Sequence, residues 1–332
     1  MRPTMLRDQR RRANRLSRPL PLAAAWIAAI LITGTAHAFD SGSTGADGAL
    51  DFSGSPPGTV IEFDPTTFTP PLDPDGDSIY HFTSITIPAY VTVKLRADEA
   101  GSAPIFWLAT QAVIIDGTLD LSGEDGHDAS PAAPRTVSIP GPGGFGGGIG
   151  GLPPTIDPQD GFGPGAGVTV LASGFSRIAG HATAGCSTCT NTYGNAFLLP
   201  FIGGSGGGGN GDDSRPGSGG GAGGGAILIA SSVSIRVNGQ VLADGGVQGG
   251  FSSGEIFGGR GSGGAIRLAA PSFDGNGAIS AKALFSSLGL GRVQSKPPKT
   301  LSPERSKATP APLPCCPTRF CCRPRRSQLY AS

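Results

Sequence analysis

Beyond residue 38 the apolar positions fall in short clusters, either alternating with polar residues or continuous, rich in Ile, Val, Phe and Thr and bounded by Gly, Pro, Asp and Asn. A period of two in runs this short marks β-strands, and no stretch keeps the 3.6-residue spacing of an amphipathic helix. The chain therefore reads as all β. Three segments repeat one another: Pro104–Ala109, Ala112–Gly117 and Thr118–Leu121; then Gly225–Ala230, Val233–Gly239 and Gln240–Ala243; then Gly264–Ala269, Phe273–Gly277 and Ala278–Ala281. A weaker unit precedes them, through Ile79–Phe82, Ile85–Ile87 and Val91–Leu95.

Each unit is three short strands, and repetition of that kind implies units that bury their apolar faces by stacking on neighbours. The expected fold is a right-handed parallel β-helix, that is, a β-solenoid, with glycine-rich inserts. The rival is a β-sandwich, in which Asn238-Gly239 would be a two-residue hairpin turn. Asp116-Gly117, Asn238-Gly239 and Asn276-Gly277 occupy equivalent corners, where an Asx-Gly pair is expected to supply a residue with positive φ. Asn238 and Asn276 are candidates for a side-chain ladder, and Asp116 reads as a corner residue before it reads as a catalyst.

Between the repeats lie two glycine-rich stretches, about Ser122–Gly224 and Asp244–Gly263, with runs such as Gly203–Gly209 and Gly217–Gly225. Such runs carry too little apolar surface to offset their chain entropy by side-chain burial. Two readings stay open: external loops, or extended polyglycine segments packed through backbone hydrogen bonds. Val168–Ala172 reads as one further strand.

Composition and charge then narrow the class. Of 332 residues, 56 are Gly and 30 are Pro, which argues against helical and doubly wound enzymes. The net charge of +1 hides a segregation: residues 39–290 carry nine basic and 22 acidic residues, a balance of −13, while the basic residues concentrate at the two ends. An acidic body repels phosphate backbones, so no nucleic-acid partner is expected. At the N-terminus an arginine-rich stretch (Arg7, Arg10, Arg11, Arg12, Arg15, Arg18) precedes an apolar run, Leu22–Ile32, and then Ala36-His37-Ala38. This is the pattern of a secretory signal peptide cleaved between Ala38 and Phe39. The run is too short for the ~20 residues a membrane span needs, so no span is expected after signal removal.

The organisation expected is therefore a signal peptide (1–38), N-terminal strands and first units (39–122), a glycine-rich insert (123–224), C-terminal units with a short insert (225–290), and a basic Pro- and Cys-rich tail (291–332). Taken together, the start at Phe39–Gly48, the Pro104–Thr110 and Val113–Leu119 strands, and the Gly-Gly-Ala-Ile blocks at Gly224 and Gly263 resemble a family of uncharacterised, exported, glycine-rich bacterial proteins. The resemblance covers residues 39 to about 290 and implies export and repeats of the β-solenoid kind, but no substrate. Such proteins continue after the last glycine-rich block with a Gly-Arg-[Ile/Val]-Arg-[Leu/Val]-Glu-Ala strand. This chain begins one at Gly291-Arg292-Val293 and then departs, which reads as a disordered tail or the product of a frameshift near codon 294.

Candidate chemistry is sparse. Cys186-Ser-Thr-Cys189 lies in a Gly-, Thr- and Asn-rich loop instead of at a helix start, so a structural Cys186–Cys189 disulfide is expected over a redox centre. Asp73, Asp75 and Asp77 alternate as at the opening of a calcium loop, but Ser78 and Ser84 stand where Gly and Glu are required, leaving an acidic turn. Gly208–Asp213 matches part of a calcium-binding nonapeptide, once only, with Arg215 where an apolar residue belongs. His81, His127 and His181 have no partner at fixed spacing, and no phosphate-binding loop is present. No catalytic residue, metal ligand or cofactor is assigned. The expected role is structural or adhesive, at the cell surface or in the extracellular matrix, with extracellular polysaccharide or cell-surface components as partners. The alternative is a polysaccharide hydrolase or lyase, for which Asp120 with Asp244 or Asp274 are the carboxylates to test.

Overall fold

The period-two clusters become strands where the sequence places them. A computed structural model describes residues 39–170, 176–186, 191–250, 256–283 and 289–295, all within one unit spanning Met1–Pro298; a second unit, Lys299–Ser332, lies outside the described residues. The strands are β1 (Gly48–Asp51), β2 (Val60–Glu62), β3 (Ile79–Ile87), β4 (Thr92–Lys94), β5 (Ile105–Ala109), β6 (Val113–Ile115) and β7 (Thr118–Asp120). After a long gap follow β8 (Ala226–Ser231), β9 (Ser234–Val237), β10 (Gln240–Leu242), β11 (Ala265–Ala269), β12 (Ser272–Asp274), β13 (Ala278–Ser280) and β14 (Arg292–Ser295). A 3₁₀ turn at Pro65–Thr67, capped by the Asp64 side chain, is the sole helical element among the described residues.

The expected right-handed parallel β-helix, the β-solenoid, is not the fold found. The strands form two sheets where three faces were expected: one of nine strands, in the order β12-β9-β6-β3-β5-β8-β11-β14 with β1 also on β3, and one of five, β13-β10-β7-β4-β2. The larger sheet curls as a half-barrel. The physical reason lies in β3, whose nine residues run unbroken through what the sequence suggested was a corner. Its first half pairs with β5 and its second half with β6, which joins two expected faces into one sheet. The sandwich alternative fails too, because all pairings between named strands are parallel, and the strands that Asn238-Gly239 joins pair with other strands, not with each other. Parallel pairing throughout is the pattern of α/β folds, here without an α-helix among the described residues.

Register is held by the buried faces. β5, β6 and β7 lie beside β8, β9 and β10 with Ile105 opposite Ile227, Val113 opposite Ile235 and Leu119 opposite Val241. The same offset of 122 residues persists beyond the strands, where Asp125 and Asp128 accept hydrogen bonds from the Val247 and Gly250 amides. Inward residues thus stack in columns: Tyr80, Trp107, Ile229 and Leu268 in one, and Ile85, Val113, Ile235 and Phe273 in another. Slipping a strand by one residue would turn its buried face outward, at ~1.5–3 kcal/mol for each large side chain exposed. Phe63 meets the first column edge-on, its ring 5.5 Å from Tyr80 and 5.4 Å from Trp107.

The glycine-rich stretches are packed structure, which decides between the two open readings. Residues 217–225 run through an array of five other extended segments: 203–210, 145–151, 121–127, 243–249 and 256–262. The amides of Gly204, Gly207 and Asn210 donate to the carbonyls of Gly224, Gly221 and Ser218. Those of Gly219, Ala222 and Gly225 donate to His127, Glu124 and Leu121, and those of Ser218, Gly221 and Gly224 to Ile256, Gly259 and Ser262. Partners recur at every third residue, the repeat of a polyproline II-type helix, which has no internal hydrogen bonds and leaves every backbone group free for a neighbour. Val168–Val170, the described part of the expected Val168–Ala172 strand, is not a strand; the remainder lies outside the described residues.

Contacts this close exclude side chains. A Cβ on Gly221 would lie 2.0 Å from the carbonyl oxygen of Gly246, and one on Gly220 2.0 Å from that of Gly207. The corner glycines follow the same rule and not the one expected: Gly117 and Gly239 lie outside the positive-φ region, and a Cβ on Gly239 would sit 1.8 Å from the Gly117 oxygen. Among the buried side chains the array carries are small polar ones. Ser205, Asn210, Ser218 and Ser262 are fully buried, and Ser218 Oγ accepts from the Gly258 amide while Asn210 Nδ2 donates to the Phe257 carbonyl.

Replacing Gly221 by Ala is therefore expected to lower unfolding free energy by about 3 kcal/mol or more, since a backbone atom cannot yield as a side chain does. Gly54→Ala, where nothing lies within 4 Å and φ is not positive, is expected to be neutral or slightly stabilising. Urea titration of both variants checks the pair.

Candidate functional site

Where segments 145–151 and 203–210 leave the array, the chain makes two turns that face one cavity. The first turn is closed by hydrogen bonds between Leu152 and Ile156, and its base is tied to the array by the Gly151 amide donating to the Asn210 carbonyl. The second is closed by Asp212, whose Oδ1 accepts from the Arg215 amide at 2.7 Å and whose Oδ2 accepts from Arg215 Nε at 2.8 Å. The Arg215 guanidinium, with the Ser214 amide, holds the Asp212 carboxyl well below the usual carboxylate range.

The cavity between them measures about 800 Å³. Its apolar wall is Pro153, Pro154, Ile156 and Pro158, and its polar rim carries Asp157, Asp160, Asp212 and Asp213. Asp160 Oδ1 accepts from the Thr169 amide at 2.6 Å. The Thr169 hydroxyl, at the edge of the cavity, is buried and has no hydrogen-bond partner. No group of three His, Cys, Asp or Glu side chains among the described residues is gathered tightly enough to hold a metal ion. Of the four rim carboxylates, Asp160 and Asp212 are committed to local hydrogen bonds.

The carboxylates named from the sequence are engaged locally. Asp120 Oδ1 accepts from the Ser122 amide at 2.9 Å, and the recess it lines with Lys94, Arg96 and Glu124 is about 80 Å³, against the about 300–1,000 Å³ usual for ligand pockets. Asp244 is buried, and its Oδ1 accepts from Ser280 Oγ at 2.6 Å and from the Lys282 amide at 2.9 Å. Asp274, on β12 of the other sheet, accepts from the next amide, that of Gly275. Asp116 accepts from Asn238 Nδ2 at 2.8 Å and from Arg236 at 3.3 Å, so a corner ladder forms between Asp116 and Asn238.

The acidic turn is a self-capped loop: Asp73 accepts from the Asp77 and Ser78 amides, and Asp77 from the Ile79 amide. Gly208–Asp213 divides between the array and the cavity rim. Cys186 is in a disulfide, whereas Cys189 lies outside the described residues. Ala38 also lies outside them, and Phe39 is the first residue described. From there Ser41 and Ser43 cross the layers, their hydroxyls donating to the Ala109 and Phe82 carbonyls at 2.8 and 2.7 Å. No helix among the described residues is long and apolar enough to cross a membrane.

Two of the histidines lie at the surface of this framework: His81 Nδ1 accepts from the Thr44 amide, and His127 Nε2 pairs with Thr136 Oγ1. His181 is buried. Its ring stacks on Tyr193 at 4.4 Å, and Nδ1 lies 2.8 Å from the Gly263 carbonyl. Tyr193 donates to the Gly203 carbonyl at 2.6 Å, which links the pair to the glycine array.

Comparison with protein-family models, curated sequences and solved structures finds no match to this chain. No family resemblance is confirmed by these comparisons.

Burial lowers the His181 pKa to about 4 from the 6.5 of a free imidazole. The unfolded chain takes up the proton first, so stability is full above pH 6.5 and falls as pH drops from 6.5 towards 4. A loss of roughly 2–3 kcal/mol is expected across that window. Urea titrations at pH 7.5 and 4.5 check this, and His181→Phe is expected to remove most of this component of the pH dependence.

Proposed function

We propose that this is an exported protein with a structural or adhesive role at the cell surface or in the extracellular matrix, and that it meets extracellular polysaccharide. One observation carries the reading: the packed glycine array. It commits much of the chain to a body held by main-chain hydrogen bonds, each worth about 1 kcal/mol net and costly to leave unmade when buried. Such a body has few side chains of its own to react, and it presents loops at the ends of its segments. The local hydrogen bonds of Asp120, Asp244 and Asp274 favour this reading over hydrolysis, which requires a pair of carboxylates facing substrate. The acidic surface and the arginine-rich leader pattern agree with export.

The test is expression of the full chain in a bacterial host, followed by fractionation and N-terminal sequencing of the extracellular or surface-bound protein. The expected outcome is a mature start at Phe39 and retention on immobilised polysaccharide without release of new sugar ends. Confinement to the cytoplasm with an intact N-terminus would contradict export. Sugar-end release that Asp120→Asn abolishes would replace adhesion by catalysis.

A further inference from the structure

Resting on the adhesive reading, we propose that the cavity between residues 153–160 and 211–213 binds a glycan whose sugars carry free amino groups. Size is the first argument. At about 800 Å³ the cavity falls within the range of ligand pockets and exceeds what one amino-acid side chain fills. The wall is the second. Pro153, Pro154 and Pro158 present ring faces with no rotamer entropy to lose, and with Ile156 they offer an apolar surface to the C–H face of a pyranose.

The rim supplies the choice of sugar. Asp157 and Asp213 are exposed, and neither makes a hydrogen bond or ion pair among the described residues. No Lys or Arg among the described residues lines the cavity, and the nearby Arg215 is held by Asp212. Two uncommitted carboxylates therefore line the site without a neutralising partner among the described residues, on a body whose balance over residues 39–290 is −13. A uronate chain is repelled there, and a fully neutral chain leaves the charges unused. An ammonium group on a hexosamine forms a charge-assisted hydrogen bond to each.

The experiment is titration calorimetry of the purified full-length chain with oligomers of β-1,4-linked glucosamine, at a pH where the amines are protonated. Their N-acetylated counterparts, oligogalacturonate and oligolysine run in parallel. Glucosamine oligomers are expected to bind, with at least tenfold weaker binding to the N-acetylated chain and none to the uronate. Asp157→Asn/Asp213→Asn is expected to weaken binding ten- to a hundredfold with unchanged thermal unfolding. Asp40→Asn/Asp75→Asn, which removes two exposed carboxylates outside the cavity, is expected to leave binding intact. Equal loss in both double variants would reduce the effect to general charge attraction and overturn the site. Oligolysine binding as tightly through Asp157 and Asp213 would overturn the sugar assignment, as would preference for the acetylated or uronate chain. Retention on other polysaccharides with no glucosamine binding would sink this inference and leave the adhesive reading standing.

Discussion

The structure depends on how closely one backbone can approach another. In the glycine array, carbonyl oxygens of neighbouring segments lie about 2.0 Å from where a Cβ on Gly220 or Gly221 would sit. Only the absence of side chains permits that approach, and the approach lets each extended segment exchange hydrogen bonds with several neighbours at a three-residue step. What glycine costs in chain entropy is offset by backbone bonds on several sides. The sheets depend on the same constraint, because the array's segments lead directly into β8 and β11 and fix where those strands begin.

The two kinds of order meet through a shared register. The offset of 122 residues that aligns β5 with β8 continues past β7 and β10 to Asp125 and Asp128, whose carboxylates accept from Val247 and Gly250. Many acidic side chains in this protein serve the backbone in that way, closing turns or bridging layers. Asp244, Asp120 and Asp73 belong to that group. Five carboxylates, those of Glu62, Asp75, Glu99, Asp157 and Asp213, make no side-chain hydrogen bond or ion pair among the described residues, and of these Asp157 and Asp213 line the cavity.

The strands were legible because Ile, Val and Phe at alternate positions announce which face is buried. β5 to β11 and β13 fall within a residue or two of their expected places, and β12 ends three residues short of its expected end. The continuity of β3 was not legible, since Thr83 and Ser84 between its two apolar halves look like a break, and that continuity changes the sheet count. The array was only half legible: polyglycine carries no pattern to say which segments will be neighbours, so loops and packed segments read alike. The corner glycines suggested positive φ, whereas close approach requires them. The cavity draws on residues more than fifty positions apart, and Gly208–Asp213, noted for another reason, was its single trace in the sequence.

Amide hydrogen exchange of the folded protein tests the central claim most directly, read residue by residue across 203–225 and compared with β8. The account requires Gly207, Gly221 and Gly224 to be protected to the level of Ile227 and Ile229, because their amides are bonded within the array. Exchange of those glycines at the rate of an unstructured chain, with β8 still protected, would show that the glycine segments are external loops and would contradict the account.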